Sequence, residues 1–293
     1  MSPSLLFETI GARHGVIDMP CPECSPQRRS PRNRRRPVLR VWRRCEDFLS
    51  FSCARCGWQG FGVRDGATRA RLTPKPVSSA EQVTDIDRSA RALALWGSAL
   101  PLRGSLAEIY LASRAIRLTE KVYAAGALRF LQSCPFGAER RPAMLALMRD
   151  IVTDEPRAIH RTALKSDGTG KAEMPEGRSP KQMLGPAAGC AVKLVEDEAV
   201  TLGLAIAEGI ENALTALCAG WSPVWAAGCM GTLAKFPVLA GLDAVTIFSD
   251  PEPTGIEAAQ QCAIRWRDAG REATVVIPPN GDWNDVGRAI RCL

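Results

Sequence analysis

The stretch LGLAIAEGIENALTALCAG (202–220) decides the fold class. Leu204-Ala205-Ile206-Ala207 reads as a buried strand, Glu208-Gly209 as its exit, and 210–219 as a helix closed by Gly220. The same rhythm continues downstream. Val224-Trp225-Ala226-Ala227 is a further strand, and AVTIFSDPEPTG (244–255) runs a strand over 244–248 into Ser249-Asp250-Pro251-Glu252. A helix is expected over 255–269, closed by Gly270, then a strand over 272–277 and the acidic turn Gly281-Asp282-Trp283-Asn284-Asp285. Strands alternating with helices predict a mostly parallel sheet with helices on both faces.

In such a sheet the carboxyl ends of the strands share one edge, and ligands bind there. Glu208, Asp250, Glu252, Asp282 and Asp285 all follow strands, so the pattern brings carboxylates from three strands to that edge. Each acid alone reads as an ordinary helix cap. Together they repel one another unless a divalent cation neutralises them, and hard oxygen ligands suit magnesium or manganese.

Upstream, a helix is expected over 80–100, and Ser105 with Glu108 begins a second one as a capping box. Strands are expected over 128–131, 143–152 and 158–164, the last two joined by the turn Thr153-Asp154-Glu155-Pro156. Thr73-Pro74-Lys75-Pro76-Val77-Ser78-Ser79 reads as a linker. Residues 1–20 read as one short helix ending near Asp18-Met19-Pro20.

Between helix and linker stand Cys21-Pro22-Glu23-Cys24 and Cys53-Ala54-Arg55-Cys56-Gly57. Two pairs with two-residue spacing suit tetrahedral structural zinc, here a zinc ribbon built on a β-hairpin. Cys45 is left out of that set, and Cys134, Cys190, Cys218, Cys229, Cys262 and Cys292 read as small core or surface residues. Nine arginines and no acid lie from Arg28 to Arg44, Arg34, Arg35 and Arg36 among them, and the net charge is +7. Such density on an inserted loop points to phosphates as partner. Trp42, Phe48, Phe51 and Trp58 are candidates for stacking on bases. No stretch approaches the roughly 20 apolar residues of a membrane span. The run near Leu5 is too short for a secretory signal, so a cytoplasmic protein with metal-bound cysteines is expected. Gly168-Thr169-Gly170-Lys171 lacks the spacing of a P-loop, and His14 and His160 are too few for histidine-based hydrolysis.

Ala207-Glu208-Gly209, then Asp250-Pro251-Glu252 before a helix, then Asp282-Trp283-Asn284-Asp285 resembles the Toprim pattern. Arg141-Pro142-Ala143-Met144, Ile159-His160-Arg161-Thr162 and Ser179-Pro180-Lys181-Gln182-Met183-Leu184-Gly185 resemble the subdomain preceding Toprim in DnaG-like primases of phage and plasmid type. The resemblance covers about 105–293, with the zinc ribbon matched by domain order. It implies a zinc ribbon with an arginine-rich module over 1–72, a linker and helix over 73–104, a primase-core subdomain over 105–195 and a Toprim domain over 196–293. It implies magnesium or manganese on Glu208, Asp250, Glu252 and Asp282 as catalytic acids, and a basic ridge of Arg161 and Lys181. Single-stranded DNA and NTPs would be the partners, with a separate replicative helicase alongside. The implied activity is RNA primer synthesis by two-metal nucleotidyl transfer. A Toprim nuclease and a non-catalytic nucleic-acid-binding protein remain as alternatives. The chain departs from the pattern at Glu252, where the family has aspartate, and at Asn212, where an acid is frequent.

Overall fold

The computed structural model describes residues 4–27, 31–43, 46–64, 85–279 and 281–290. The linker 73–79, the start of the expected helix at 80, Arg28, Arg29, Arg44, Cys45 and Cys292 lie outside them. The chain divides into two compact units, Met1–Gln82 with Met174–Ser179, and Val83–Glu173 with Pro180–Leu293.

The first unit begins with α1 (Ser4–Ile10), β1 (Gly15–Met19) and α2 (Pro31–Arg35), followed by β2 (Leu39–Arg43), β3 (Phe48–Cys53) and β4 (Gln59–Val63). The four strands pair antiparallel in sequence order. The single helix expected over 1–20 is thus corrected. It stops at Ile10, before Gly11 at φ 59°, and 15–19 extends along β2. Register gives the sheet a clean division of faces, because directly paired residues point the same way. Ile17, Leu39, Val41, Leu49, Phe51 and Cys53 are buried in one cluster with Leu6, Phe7 and Ile10 of α1. The opposite face presents Val16, Trp42, Phe48, Phe61 and Val63. The described arginines are not all on a loop, although Arg36 follows α2 in one. Arg34 and Arg35 belong to α2, while Arg40 and Arg43 belong to β2. Arg40 pairs with Asp18 at 2.7 Å, and Arg43 is buried.

The second unit opens with α3 (Asp85–Gly97), β5 (Leu100–Pro101), α4 (Leu106–Ser113) and α5 (Glu120–Ala125). Ser105 Oγ accepts from the Ala107 amide at 3.2 Å, and Glu108 Oε2 accepts from the Gly104 amide at 2.6 Å. The start of α4 is therefore capped from both sides. Then come β6 (Leu128–Phe136), β7 (Glu139–Asp150), β8 (Pro156–Ala163), β9 (Lys181–Leu184) and β10 (Cys190–Lys193). The last stretch holds β11 (Gly203–Ala207), α6 (Ile210–Cys218), β12 (Val224–Ala226), α7 (Met230–Ala234), β13 (Ala244–Phe248), α8 (Pro253–Asp268), β14 (Glu272–Val276) and α9 (Trp283–Ile290).

A ten-stranded mixed sheet runs β14-β13-β11-β12-β10-β7-β6-β5, with β8 against β7 and β9 against β8. The strands β14, β13, β11 and β12 are parallel, as the alternating sequence predicts. Both faces are covered. Leu204 and Ile206 of β11 pack in a cluster with Ala259, Cys262 and Trp266 of α8. Ala205 and Ala207 face the other way, into a cluster with Ile210 and Leu214 of α6 and Trp283 of α9. Two-sided burial explains why these strands read as continuous apolar runs.

Candidate functional site

Glu208 leaves β11 and Asp250 leaves the neighbouring parallel strand β13, where Ala207 pairs with Phe248. The two carboxylates therefore emerge side by side at the sheet's carboxyl edge. Burial pushes the Glu208 carboxyl up to about 7, and the charges of Asp250 and Glu252 add to the effect. Burial also raises Asp250, as do Glu252 and Asp282, while Lys181 and the Asn212 amide pull it down. Asn212 Nδ2 donates to Asp250 Oδ1. Glu252 is the exposed N-cap of α8. Helix α8 must come close at this point, because a Cβ on Gly255 would stand 2.9 Å from the Asp250 carbonyl oxygen.

Asp282 sits further out. Its Oδ1 accepts from the amides of Asn284 and Asp285 at 2.9 and 3.0 Å, while Asp285 Oδ2 accepts from the Asp282 amide at 3.2 Å. Both acids thus cap α9, and Arg114 approaches Asp282 at 3.8 Å. The structure draws Glu208, Asp250 and Glu252 together and leaves Asp282 at their border, within electrostatic reach of Asp250.

Lys181 opens β9, opposite Thr162 of β8. Its Nζ binds Glu211 Oε2 at 2.8 Å, and Glu208 and Asp250 feel its charge. Arg161 does not share this face. It pairs with Gln182, one position along, so its side chain points to the other side of the sheet. There it is buried, donates to the Pro135 carbonyl and lies over the Phe136 ring. The expected single ridge of Arg161 and Lys181 is therefore corrected: strand alternation separates the two.

In the first unit, Cys21, Cys24, Cys53 and Cys56 have their sulfurs within 4.8 Å of one another. The Cys21–Cys56 and Cys24–Cys53 separations are 3.8 and 3.9 Å. A tetrahedron with metal–sulfur bonds of about 2.3 Å requires sulfur–sulfur edges of roughly 3.8 Å. The donor set fits zinc, and the site is a zinc-ribbon type four-cysteine cluster. Among the described residues it is the one group of metal-ligating side chains drawn in tightly enough to hold an ion as it stands. The acids at the sheet edge are more loosely grouped, and their chemistry, hard oxygen at a partly buried edge, fits magnesium or manganese.

Residues 203–290 match the Toprim domain family. This part of the chain is a Toprim domain. Residues 86–194 match a domain of unknown function, DUF7146. No curated protein matches the chain. Among solved structures, the chain is similar to the zinc-binding and RNA polymerase domains of Aquifex aeolicus primase, at 13% identity and TM-score 0.48, covering 100% of this chain and 82% of that one. It is also similar to a DNA primase domain from Pseudomonas aeruginosa, at 14% identity and TM-score 0.46, covering 69% and 74%. The primase fragment of the bacteriophage T7 primase-helicase is similar at 15% identity and TM-score 0.43, covering 83% and 90%.

Sequence reasoning missed part of the ground beside the Toprim acids. Lys171, read only as a failed P-loop lysine, binds Glu211 Oε1 at 2.9 Å. Tyr110 of α4 donates to the same oxygen at 2.7 Å. Glu211 is the second residue of α6 and is buried, so its sequence signal was only an acid in the first turn of an otherwise apolar helix. No helix among the described residues is long and apolar enough to cross a membrane.

Proposed function

We propose that the chain is a primase-like nucleotidyltransferase that makes short RNA primers on single-stranded DNA, with its catalytic centre at the Toprim edge. The observation that carries this reading is Glu208 beside Asp250 on adjacent parallel strands, with Glu252 next to them and Lys181 across from them. Clustered carboxylates facing an ammonium suit a substrate that brings both cations and phosphates. Magnesium or manganese ions, when bound, would supply Lewis-acid activation of the attacking hydroxyl and neutralise charge developing on the phosphate. Glu208, Asp250 and Glu252 would hold them, with Asp282 as an outer ligand. Lys181 would bind nucleotide phosphates from the side opposite the acids.

In this reading residues 1–72 engage the template, 73–104 join them to a core subdomain over 105–195, and 196–293 form the catalytic domain. The first unit supplies two surfaces for single-stranded DNA. Arg34, Arg35 and Arg36 are exposed, and Phe61, 65% exposed, stacks on Phe48 at 6.0 Å between ring centres. Aromatic faces and arginines together serve strands without sequence preference. A separate helicase and a cytoplasmic setting complete the proposal.

The test is primer synthesis by the purified chain with single-stranded DNA, NTPs and magnesium or manganese. Wild type should yield short oligoribonucleotides, and Asp250→Ala should lower the yield by roughly a hundredfold or more, the scale of losing charge stabilisation in a transition state. Failure across templates, metals and added helicase defeats the reading. One contact favours a second reading, a nucleic-acid-binding protein without turnover: the Asn212 amide occupies Asp250 Oδ1, an oxygen a metal would use. DNA binding unchanged in Asp250→Ala, with no product from wild type, would select it.

A further inference from the structure

Glu211 is buried at 4% exposure, yet its carboxyl is held well below the usual range by the two lysines beside it. Three donors engage both oxygens of its carboxylate: Lys171 Nζ at 2.9 Å and Tyr110 Oη at 2.7 Å on Oε1, and Lys181 Nζ at 2.8 Å on Oε2. These bonds hold the carboxyl ionised against the burial that opposes it. Lysine stems are flexible, and fixing one costs side-chain entropy. Here a single buried anion fixes two of them, from separate segments, β9 and the turn after β8. Both remain partly open to solvent, with 28% and 33% of their side chains exposed for Lys171 and Lys181. Two ammonium groups against one carboxylate leave an excess of positive charge. It lies beside Glu208 and Asp250, whose charges Lys181 already feels.

We propose that Glu211 is a positioning residue that clamps Lys171 and Lys181 side by side, so that the pair forms a preordered pole for the phosphates of an incoming nucleotide. The proposal rests on the nucleotidyl-transfer reading above for the identity of the ligand. Lys171 thereby becomes a phosphate contact alongside Lys181, and Glu211 acts only through them. Tyr110 sets the angle of the clamp by holding Oε1. Preordered donors bind an anion without first losing freedom, which is where affinity is gained.

The experiment compares the full-length wild type with Glu211→Gln, which keeps shape and removes the charge. Two readouts are taken on folded protein. In steady-state primer synthesis, the KM for NTP should rise roughly tenfold, the scale of a lost charge-assisted hydrogen bond. The kcat should stay within about threefold, because the loss falls on binding. In labelling by a small amine-reactive reagent, read by mass spectrometry, Lys171 and Lys181 should react faster in the variant, with Lys165 and Lys193 unchanged. Inorganic triphosphate should protect both lysines in the wild type. If wild type makes no primer, the nucleotidyl-transfer reading fails, while labelling and protection still judge the clamp. Unchanged labelling, or an unchanged KM in an active variant, overturns the proposal. Should Glu211→Gln not fold, Tyr110→Phe removes one bond from the same oxygen and must shift both readouts in the same direction.

Discussion

At the residue scale, alternation along β8 decides what each side chain can do. His160 and Thr162 face the Lys181 side, and Arg161 faces away. His160 is 6% exposed, and burial, followed by the charge of Lys181, pushes its imidazole down to about 4. The folded pKa lies below the unfolded value near 6.5, so the neutral ring's contribution is complete above 6.5 and lost as pH falls through 4. The full shift corresponds to about 3 kcal/mol. Urea midpoints at pH 7 and pH 4.5 should therefore converge in His160→Leu relative to wild type; an equal acid loss in both would exclude His160 as the cause. The carboxylates at strand ends were legible in the sequence because strand exits are marked by Gly209 and by Pro251. The faces of Arg161 and Lys181 were not, because they lie on different strands whose register no local pattern sets.

At the element scale, α8 comes very close to the end of β13 at the Toprim edge. A Cβ at Gly255 would meet Asp250 backbone at 2.9 Å and its Cβ at 3.0 Å. Gly255→Ala should cost about 1–3 kcal/mol, as overpacking does. It should also weaken manganese binding, measured by titration calorimetry, more than substitution of exposed Glu257 does. The antiparallel sheet of the first unit offers a separate handle. Phe61→Ala should weaken single-stranded DNA binding by about 1–3 kcal/mol if one base stacks there. Replacing Arg34, Arg35 and Arg36 with glutamine should reduce the slope of log affinity against log salt by about 2. Retention of the full slope would remove these arginines from the interface. Among the elements, β11, β13 and α8 were readable because they are long apolar or periodic runs. The strand β10, Cys190–Lys193, was not. Lys193 within it looks foreign to a core, and two ion pairs, with Asp154 at 2.8 Å and Asp197 at 2.7 Å, make its burial tolerable.

At the scale of the whole molecule, the two compact units have different sources of stability. The small one has a modest apolar cluster around α1 and, beside it, the four-cysteine cluster. The large one has two extensive clusters, one on each face of its sheet. Chelating zinc should therefore open 4–64 to hydrogen exchange while amides of β11 and β13 stay protected. Simultaneous loss of protection in both would show that the ion supports the entire chain. The order of these modules was legible from cysteine spacing at one end and strand rhythm at the other. The continuity between the two family-matched segments was not, since β10 belongs by sequence to the first and pairs with β12 of the second through Val192–Ala226 and Lys193–Trp225.

That shared ladder turns the segment boundary into a cut site. Severed between residues 196 and 200, the polypeptide would yield two fragments, each baring an unsatisfied strand edge that the other caps. Neither piece should be soluble alone, whereas co-expression should let them recombine, making this connector the natural place for a split-protein reporter of assembly.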